Sequence, residues 1–192
     1  MNAQHAELCS SAGWGEHLAT VLLPWALADG DAAWLGDDVL EIGPGYGLVT
    51  DLLAPRVRRL TAVEIDPALA AALAARLAGR EVDIVVGDAA QLPFPDGRFS
   101  GAASFTMFHH VPTMEHQDRI LAEVRRVLRP GAAFVGTDSA DGPDFRAFHE
   151  GDVCNPIDPA TFGARLTAAG FIDVEVESAE AGTRFRAVVP DR

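Results

Sequence analysis

Short apolar runs rich in β-branched residues alternate along the chain with longer segments rich in alanine, leucine and arginine. The runs predict strands at 39–42, 60–65, 82–86, 101–105 and 132–137. The longer segments predict helices at 48–54, 67–77, 115–128 and 159–169. Regular strand–helix alternation is typical of a parallel sheet with helices on both faces, so the pattern indicates a doubly wound α/β fold.

The two ends of the chain depart from this alternation. Runs at 172–177 and 184–189 alternate apolar and polar residues with no helix between them, which predicts an antiparallel hairpin at the edge of the sheet. The residues before 39 predict one or two helices, including one over 16–27. We therefore expect a mostly parallel sheet with an antiparallel C-terminal hairpin and N-terminal helices.

Size and charge narrow the range of functions. At roughly 150 residues per domain, 192 residues predict one domain. Fifteen basic residues against 28 acidic ones give a net charge of −13, which repels phosphate backbones and anionic lipids. We therefore expect no nucleic-acid partner and no membrane partner. All the basic residues are arginine, which excludes a Schiff-base lysine and a lysine-bearing phosphate loop.

The apolar stretches and the cysteines indicate a location. The N-terminus lacks the basic start and apolar run of a signal peptide. The longest apolar stretch, 18–28, is interrupted by Thr20 and Pro24 and is too short to span a membrane. Two cysteines, Cys9 and Cys154, are too few for a disulfide framework. We therefore expect free thiols in a reducing compartment. A cytoplasmic protein is expected.

A glycine-rich loop follows the first predicted strand: Glu41 is followed by glycines at 43, 45 and 47. Glycines there permit a tight turn and close approach of a ligand, although a plain turn needs no more than this. A dinucleotide fingerprint expects a small residue at position 48, where this chain has Leu48. The Glu41 carboxylate would repel a pyrophosphate but suits an ammonium group. The loop therefore favours a positively charged cofactor over NAD.

The next two strand ends also carry carboxylates. Glu64 lies 17 residues beyond Gly47, where a carboxylate can accept hydrogen bonds from both hydroxyls of a ribose. Asp66, directly before Pro67, is expected to cap the following helix and to leave Glu64 available. After the third strand, Asp88 and the adjacent backbone could recognise an exocyclic amine and a ring nitrogen. The three strand ends together predict a nucleoside site.

Five segments of the chain resemble class I S-adenosylmethionine-dependent methyltransferases, especially the type 11, small-molecule group. They are VLEIGPGYG (39–47), AVEIDP (62–67), GDAAQLPFPDGRFS (87–100), SFTMFHHV (104–111) and VRRVLRPGAAFVGTDS (124–139). The resemblance covers roughly residues 37–139 and implies a seven-stranded Rossmann-like sheet with the last strand inserted antiparallel. It also implies S-adenosylmethionine as the cofactor.

The resemblance implies a role for each matching residue. It gives Glu41, Gly43 and Gly45 to the methionyl part of the cofactor, and it counts Gly47 among the cofactor-binding residues of the same loop. It gives the remaining cofactor contacts to Glu64 (ribose hydroxyls), Ile65 (adenine face), Asp88 (adenine amine), Ala89 (ring nitrogen) and Phe105 (near the sulfonium). Ser100 stands where the family usually has an acidic residue, a difference that we assign to packing between helix and sheet.

The implied chemistry is an in-line displacement at a sulfonium methyl group, for which the protein mainly supplies alignment and desolvation. A general base is needed only if the acceptor must lose a proton. His109 and His110, next to the end of the fourth strand, are the candidates, with His110 slightly favoured by position. Adjacent side chains point in different directions, so at most one should face the site. Both could equally be structural.

No metal site is expected. The remaining histidines, His5, His17, His116 and His149, are scattered along the chain without ligand spacing. Asp138, after the fifth strand, could suggest a metal-dependent site together with Asn155. A solvated loop carboxylate is the simpler interpretation.

We expect the acceptor pocket above the carboxyl ends of the fourth and fifth strands. Its walls would come from an N-terminal helical cap, residues 1–36, and from residues 140–158, which could form a lid. The phenylalanines of 140–158 could instead fasten a loop to the core. The segment 140–158 is short for a lid. Three explanations fit its length: the acceptor is small, a larger partner presents the acceptor, or a second subunit of a homodimer completes the site.

The main hypothesis is methyl transfer to a small molecule within one domain, 1–192. Three alternatives stay open: a non-catalytic S-adenosylmethionine-binding or assembly module, an NAD-dependent oxidoreductase, and a nucleic-acid base methyltransferase. The last is disfavoured by charge and by Ser104-Phe105-Thr106-Met107, where adenine-amino enzymes carry Asp/Asn-Pro-Pro-aromatic.

Overall fold

A seven-stranded sheet with strand order β3-β2-β1-β4-β5-β7-β6 forms the centre of the protein. The computed structural model describes residues 2–27 and 32–191. The strands are β1 (Asp38–Ile42), β2 (Arg59–Glu64), β3 (Val82–Val86), β4 (Phe99–Phe105), β5 (Leu128–Asp138), β6 (Ile172–Ala179) and β7 (Gly182–Val188). Strands β1 to β5 run parallel, and β7 lies antiparallel between β5 and β6. The expected fold class is confirmed, including the inserted last strand.

Helices cover both faces of the sheet. They are α1 (Ala3–Cys9), α2 (Ala12–His17), α3 (Leu23–Ala26), α4 (Leu48–Leu53), α5 (Pro67–Arg76), α6 (Met114–Val127), α7 (Pro143–Phe148) and α8 (Pro159–Ala168). Helix α5 begins as expected, because the Asp66 carboxylate accepts hydrogen bonds from the N–H groups of Ala68 and Leu69. No helix within the described ranges is long and apolar enough to cross a membrane.

The N-terminal region is less regular than its sequence predicts. Instead of one helix over 16–27, α2 continues into a π-helical turn, Leu18–Leu22, and then into α3. Pro24 is the second residue of α3 and has no backbone N–H to donate within this continuous helical segment. The part of the apolar stretch at residue 28 lies outside the described residues. The buried side chains of Leu18, Leu22 and Leu23 still face one side and pack on the sheet.

Two apolar layers enclose the sheet. On one face, α6 and α8 bury the phenylalanines of the core, which are Phe99, Phe108, Phe134, Phe162, Phe171 and Phe185. On the other face, the N-terminal helices and α4 bury Leu27, Leu35 and Leu53. The Ser100 hydroxyl donates to the Leu35 carbonyl oxygen at 2.9 Å, so it joins β4 to the segment before β1 and lies in packing, as expected.

Candidate functional site

The glycine-rich loop lies at the carboxyl end of β1, where the strand order reverses between β1 and β4. Gly43, Gly45 and Gly47 have φ angles of 65°, 55° and 77°, a left-handed region that favours glycine. A Cβ at Gly43 would collide with the Met107 side chain, whereas a Cβ at Gly45 would meet nothing within 4 Å. Gly43 is thus required by packing and by conformation, and Gly45 borders open space.

Glu41 lies beneath this loop with 2% of its surface exposed. Its Oε2 atom is buried and accepts no hydrogen bond from the described residues. Burial, together with the nearby carboxylates of Asp51 and Glu64, raises the pKa of Glu41 to about 7. A buried carboxylate oxygen without a donor is costly, and a ligand that brings a cationic donor removes that cost.

Glu64 ends β2 and is 5% exposed. Oε2 accepts a hydrogen bond from Gly45 N–H at 2.9 Å, and Oε1 accepts one from Asp66 N–H at 2.9 Å. Glu64 thus has a structural role that its position in the sequence did not reveal, since the carboxylate orients the glycine-rich loop. A carboxylate has about four lone-pair sites, so two remain for ligand hydroxyls.

Asp88 follows β3 and faces the same space. Partial burial acts to raise its pKa, but hydrogen bonds from Ala90 N–H and from His116 lower it below the usual range. Both partners bond to Oδ1, at 2.8 Å and 3.1 Å. Asp88 is therefore an ionised acceptor at neutral pH, and His116 is a site residue that sequence spacing did not reveal.

The end of β4 turns sharply beside the loop. Phe105 is 6% exposed, and Thr106 has a φ of 49°, which is unusual for a β-branched residue. Thr106 N–H donates to the Thr137 carbonyl oxygen at 2.8 Å, and this bond fixes the turn on β5. Backbone strain of this kind is found at ligand sites, where the surrounding structure holds it in place.

The two adjacent histidines diverge. His110 borders the cavity, whereas His109 is 2% exposed and does not line it. The His109 ring bonds through Nδ1 to Asp138. His109 is therefore not placed to act as a base on a bound acceptor. Burial, with His109, His5 and His149 nearby, lowers the pKa of His110 to about 2, so its ring is a weak base at neutral pH.

Two expectations about this region are wrong. Asp138 is not a solvated loop carboxylate, because it is the last residue of β5 and only 1% exposed. The histidines are not scattered either, because folding brings His5 and His149 beside His109 and His110. The four histidines come from three separate segments, so no spacing along the chain could have revealed the cluster.

These strand ends enclose a cavity of about 450 Å³, within the usual range for ligand pockets. Its lining includes Glu41, Gly43, Gly45, Glu64, Ile65, Asp88, Ala89, Phe105 and His110. Gly47 is not in the lining and instead begins α4. Sequence reasoning missed Trp14, Met107 and Asp152, which also line the cavity.

The opposite wall comes from the two segments expected to cover the acceptor. Cys9, Trp14 and Leu18 contribute from the N-terminal helices, and Asp152 and Val153 contribute from the segment after α7. None of the described lining residues is an arginine. The cavity therefore combines several carboxylates with an apolar wall.

The cavity fits S-adenosylmethionine by chemistry. The partnerless Glu41 Oε2 suits the ammonium group, and the open space above Gly45 admits the methionyl chain. Glu64 keeps lone pairs for ribose hydroxyls, and Asp88 accepts as an ionised carboxylate. Ile65 is 65% exposed at the same edge, so a planar base could cover it.

Comparison with known families agrees with this geometry. A family model described as a methyltransferase domain matches residues 40–136, just over half of the chain. The chain belongs to this family of methyltransferase domains. The expected family, class I S-adenosylmethionine-dependent methyltransferases, and the expected cofactor are confirmed.

Individual relatives match in part. A probable S-adenosylmethionine-dependent methyltransferase of Mycolicibacterium smegmatis is 38% identical over 100 residues, which are 52% of this chain and 37% of the relative. The ribosomal RNA small subunit methyltransferase A of Deinococcus radiodurans is 47% identical over 64 residues, 33% of this chain and 22% of the relative. The chain thus matches well under half the length of these curated relatives.

A solved structure shows the same fold over almost the whole chain. The crystal structure of a methyltransferase dependent on S-adenosylmethionine from Aquifex aeolicus superposes with a TM-score of 0.75. It is 17% identical and covers 98% of this chain and 99% of its own. At this identity the likeness concerns the fold alone.

Proposed function

We propose that the protein transfers a methyl group from S-adenosylmethionine to a small, uncharged or cationic acceptor. The observation that carries this proposal is the cavity itself: its described lining holds carboxylates at 41, 64, 66, 88 and 152 and no arginine. A phosphate-rich acceptor would be repelled by such a wall and by the net charge of −13.

The chain's own residues bind and orient the two reactants. Glu41 would hold the ammonium group, Glu64 the ribose hydroxyls, and Asp88 with the Ala89 backbone the adenine edge. When bound, the cofactor supplies a methyl group on a positively charged sulfur that is open to in-line attack. Phe105 and the N-terminal wall would exclude water around that centre and hold the acceptor in line with the methyl group.

The acceptor would lie between Phe105, His110 and the wall formed by Trp14 and Val153. His110 would contact the acceptor and orient it. No proton transfer is assigned to His109, whose ring is turned away from the cavity. An acceptor atom with a free lone pair at neutral pH, or one deprotonated by solvent, suits such a site.

A labelling experiment tests the proposal. The protein is incubated with S-adenosylmethionine carrying a labelled methyl group and with pools of amines, phenols, thiols and carboxylic acids. Purified ribosomal RNA and small ribosomal subunits serve as a parallel acceptor set, because one relative is named for that substrate. We expect label in a neutral or cationic small molecule. Label in RNA alone would overturn the proposal.

A further inference from the structure

A cluster of four histidine rings lies behind the acceptor wall. His5 comes from α1, His109 and His110 from the turn after β4, and His149 from the end of α7. One ring nitrogen of each lies within 4.8 Å of one nitrogen of every other. Three of the rings are at most 3% exposed, and His110 is half-buried at the cavity.

Three of these rings are held from behind through Nδ1. His5 Nδ1 bonds to Asp152 Oδ2 at 3.1 Å, and His109 Nδ1 bonds to Asp138 Oδ1. His149 Nδ1 bonds to the Phe145 carbonyl oxygen at 2.7 Å. A carboxylate or carbonyl behind the ring is the usual arrangement for histidines that bind metal, since it fixes the tautomer and leaves Nε2 to the ion.

These bonds determine where the protons are. A carbonyl oxygen only accepts, so His149 Nδ1 carries the proton and its Nε2 carries a lone pair. Both oxygens of Asp138 accept backbone hydrogen bonds, from His109 N–H at 3.0 Å and from Ser139 N–H at 2.8 Å, so the carboxyl group faces the His109 ring as an acceptor. His5 Nδ1 likewise faces a carboxylate, that of Asp152, which also accepts a hydrogen bond from the backbone N–H of Asn2.

With Nδ1 committed to these bonds, Nε2 is the nitrogen that His5, His109 and His149 each have left for a ligand. His149 Nε2 is buried and has no hydrogen-bond partner among the described residues. A buried acceptor without a donor is costly, and a bound cation removes that cost for His149.

We propose that His5, His109, His110 and His149 bind one divalent transition-metal ion, with zinc as the ion. Imidazole nitrogen suits zinc, whereas magnesium and calcium require oxygen ligands. Zinc–nitrogen bonds of about 2.0 Å in a tetrahedron separate the nitrogens by about 3.3 Å. The rings thus close by up to about 1.5 Å on binding, a movement that the short peripheral helix α1 can make.

The ion would fasten the acceptor wall to the sheet. It joins α1 and the segment after α7 to the turn that ends β4. These two segments already touch, since the Asn2 side chain donates to the carbonyl oxygens of Phe148 at 3.0 Å and Glu150 at 3.2 Å. Because His110 also borders the acceptor space, the ion would fix the orientation of that ring. The proposal itself rests on the geometry of the four rings and not on the proposed function.

Metal binding can be measured directly. Tag-free protein is prepared without a metal-affinity column, treated with chelator and titrated with zinc chloride in a calorimeter. Metal analysis after gel filtration gives the stoichiometry, and cobalt substitution reports tetrahedral coordination by its visible spectrum. We expect one zinc per chain, and a loss of affinity of about 100-fold or more in His149→Gln and in His5→Gln.

His17→Gln is the matched control, because His17 lies outside the cluster and stacks on Trp14. Circular dichroism verifies that each variant folds. If His149→Gln does not fold, His5→Gln on the peripheral helix α1 still tests the proposal. Absence of stoichiometric zinc would overturn the proposal, as would equal affinity in the His5 and control variants. S-adenosylhomocysteine binding, measured in parallel, reports on the cofactor site separately.

Discussion

At the scale of single residues, Glu64 has a double task. It fixes the glycine-rich loop through Gly45 N–H and Asp66 N–H, and its remaining lone pairs face the cavity. The sequence predicted the second task from position, but not the first, because a carboxylate that reaches back to a loop 19 residues earlier leaves no local pattern.

Replacing Glu64 tests this assignment. Glu64→Ala should weaken S-adenosylmethionine binding at least tenfold, about 1.4 kcal/mol, because hydrogen bonds to a charged acceptor are lost. Glu64→Gln retains one acceptor oxygen, so its affinity for S-adenosylmethionine should lie between those of Glu64→Ala and the wild type. Calorimetric titration measures all three, and wild-type affinity in Glu64→Ala would refute the ribose assignment.

Glu41 predicts a pH dependence. Its pKa is about 7 in the folded protein against 4.5 for an unperturbed glutamate, so between these values the folded chain binds a proton that the unfolded chain lacks. Stability from this residue is present below pH 4.5 and is lost as pH rises towards 7. Cofactor binding needs the carboxylate, so affinity should rise over the same window and level off above it.

The measurement is a series of S-adenosylhomocysteine titrations from about pH 5.5 to about pH 8.5. Glu41→Gln cannot ionise and should bind more weakly, with little dependence on pH. If the variant shows the same rise in affinity as the wild type, another group is responsible and Glu41 does not hold the ammonium group.

At the scale of elements, the sequence patterns predicted each described strand. Strands β1, β2, β4 and β5 are largely buried runs, the partly buried β3 is rich in valine and isoleucine, and the hairpin of β6 and β7 alternates apolar and polar residues. The strands β1 and β4 are buried almost throughout, as their continuous apolar runs require. The π-helical turn at Leu18–Leu22 was not predicted, because a segment without glycine or proline fits an ordinary α-helix equally well. The same limit applies to the turn at Thr106.

Gly101 provides a stability test at this scale. A Cβ there would lie 2.8 Å from Leu35 Cα, a backbone atom that cannot move aside easily. Gly101→Ala should destabilise the protein by about 1–3 kcal/mol in urea unfolding. Gly13→Ala in α2, where a Cβ meets nothing within 4 Å, is the control and should stabilise by up to about 1 kcal/mol. Equal effects would contradict the described contact between β4 and the segment before β1.

At the scale of the whole molecule, the fold converts dispersed residues into sites. The cofactor edge could be predicted, because the carboxyl ends of parallel strands meet and each strand end carried its own residue type. The histidine cluster could not, because His5 and His109 lie 104 residues apart in sequence and only folding joins them. For the same reason Trp14 and Val153 were found only once both walls of the cavity were in place.

The central claim is that this edge of the sheet binds S-adenosylmethionine, and one calorimetric experiment tests it. Purified protein is titrated separately with S-adenosylmethionine, S-adenosylhomocysteine and NAD. We expect the first two to bind at one site per chain with dissociation constants on the order of micromolar, and NAD to give no signal. Binding of NAD alone, or no binding of any of the three, would contradict the account.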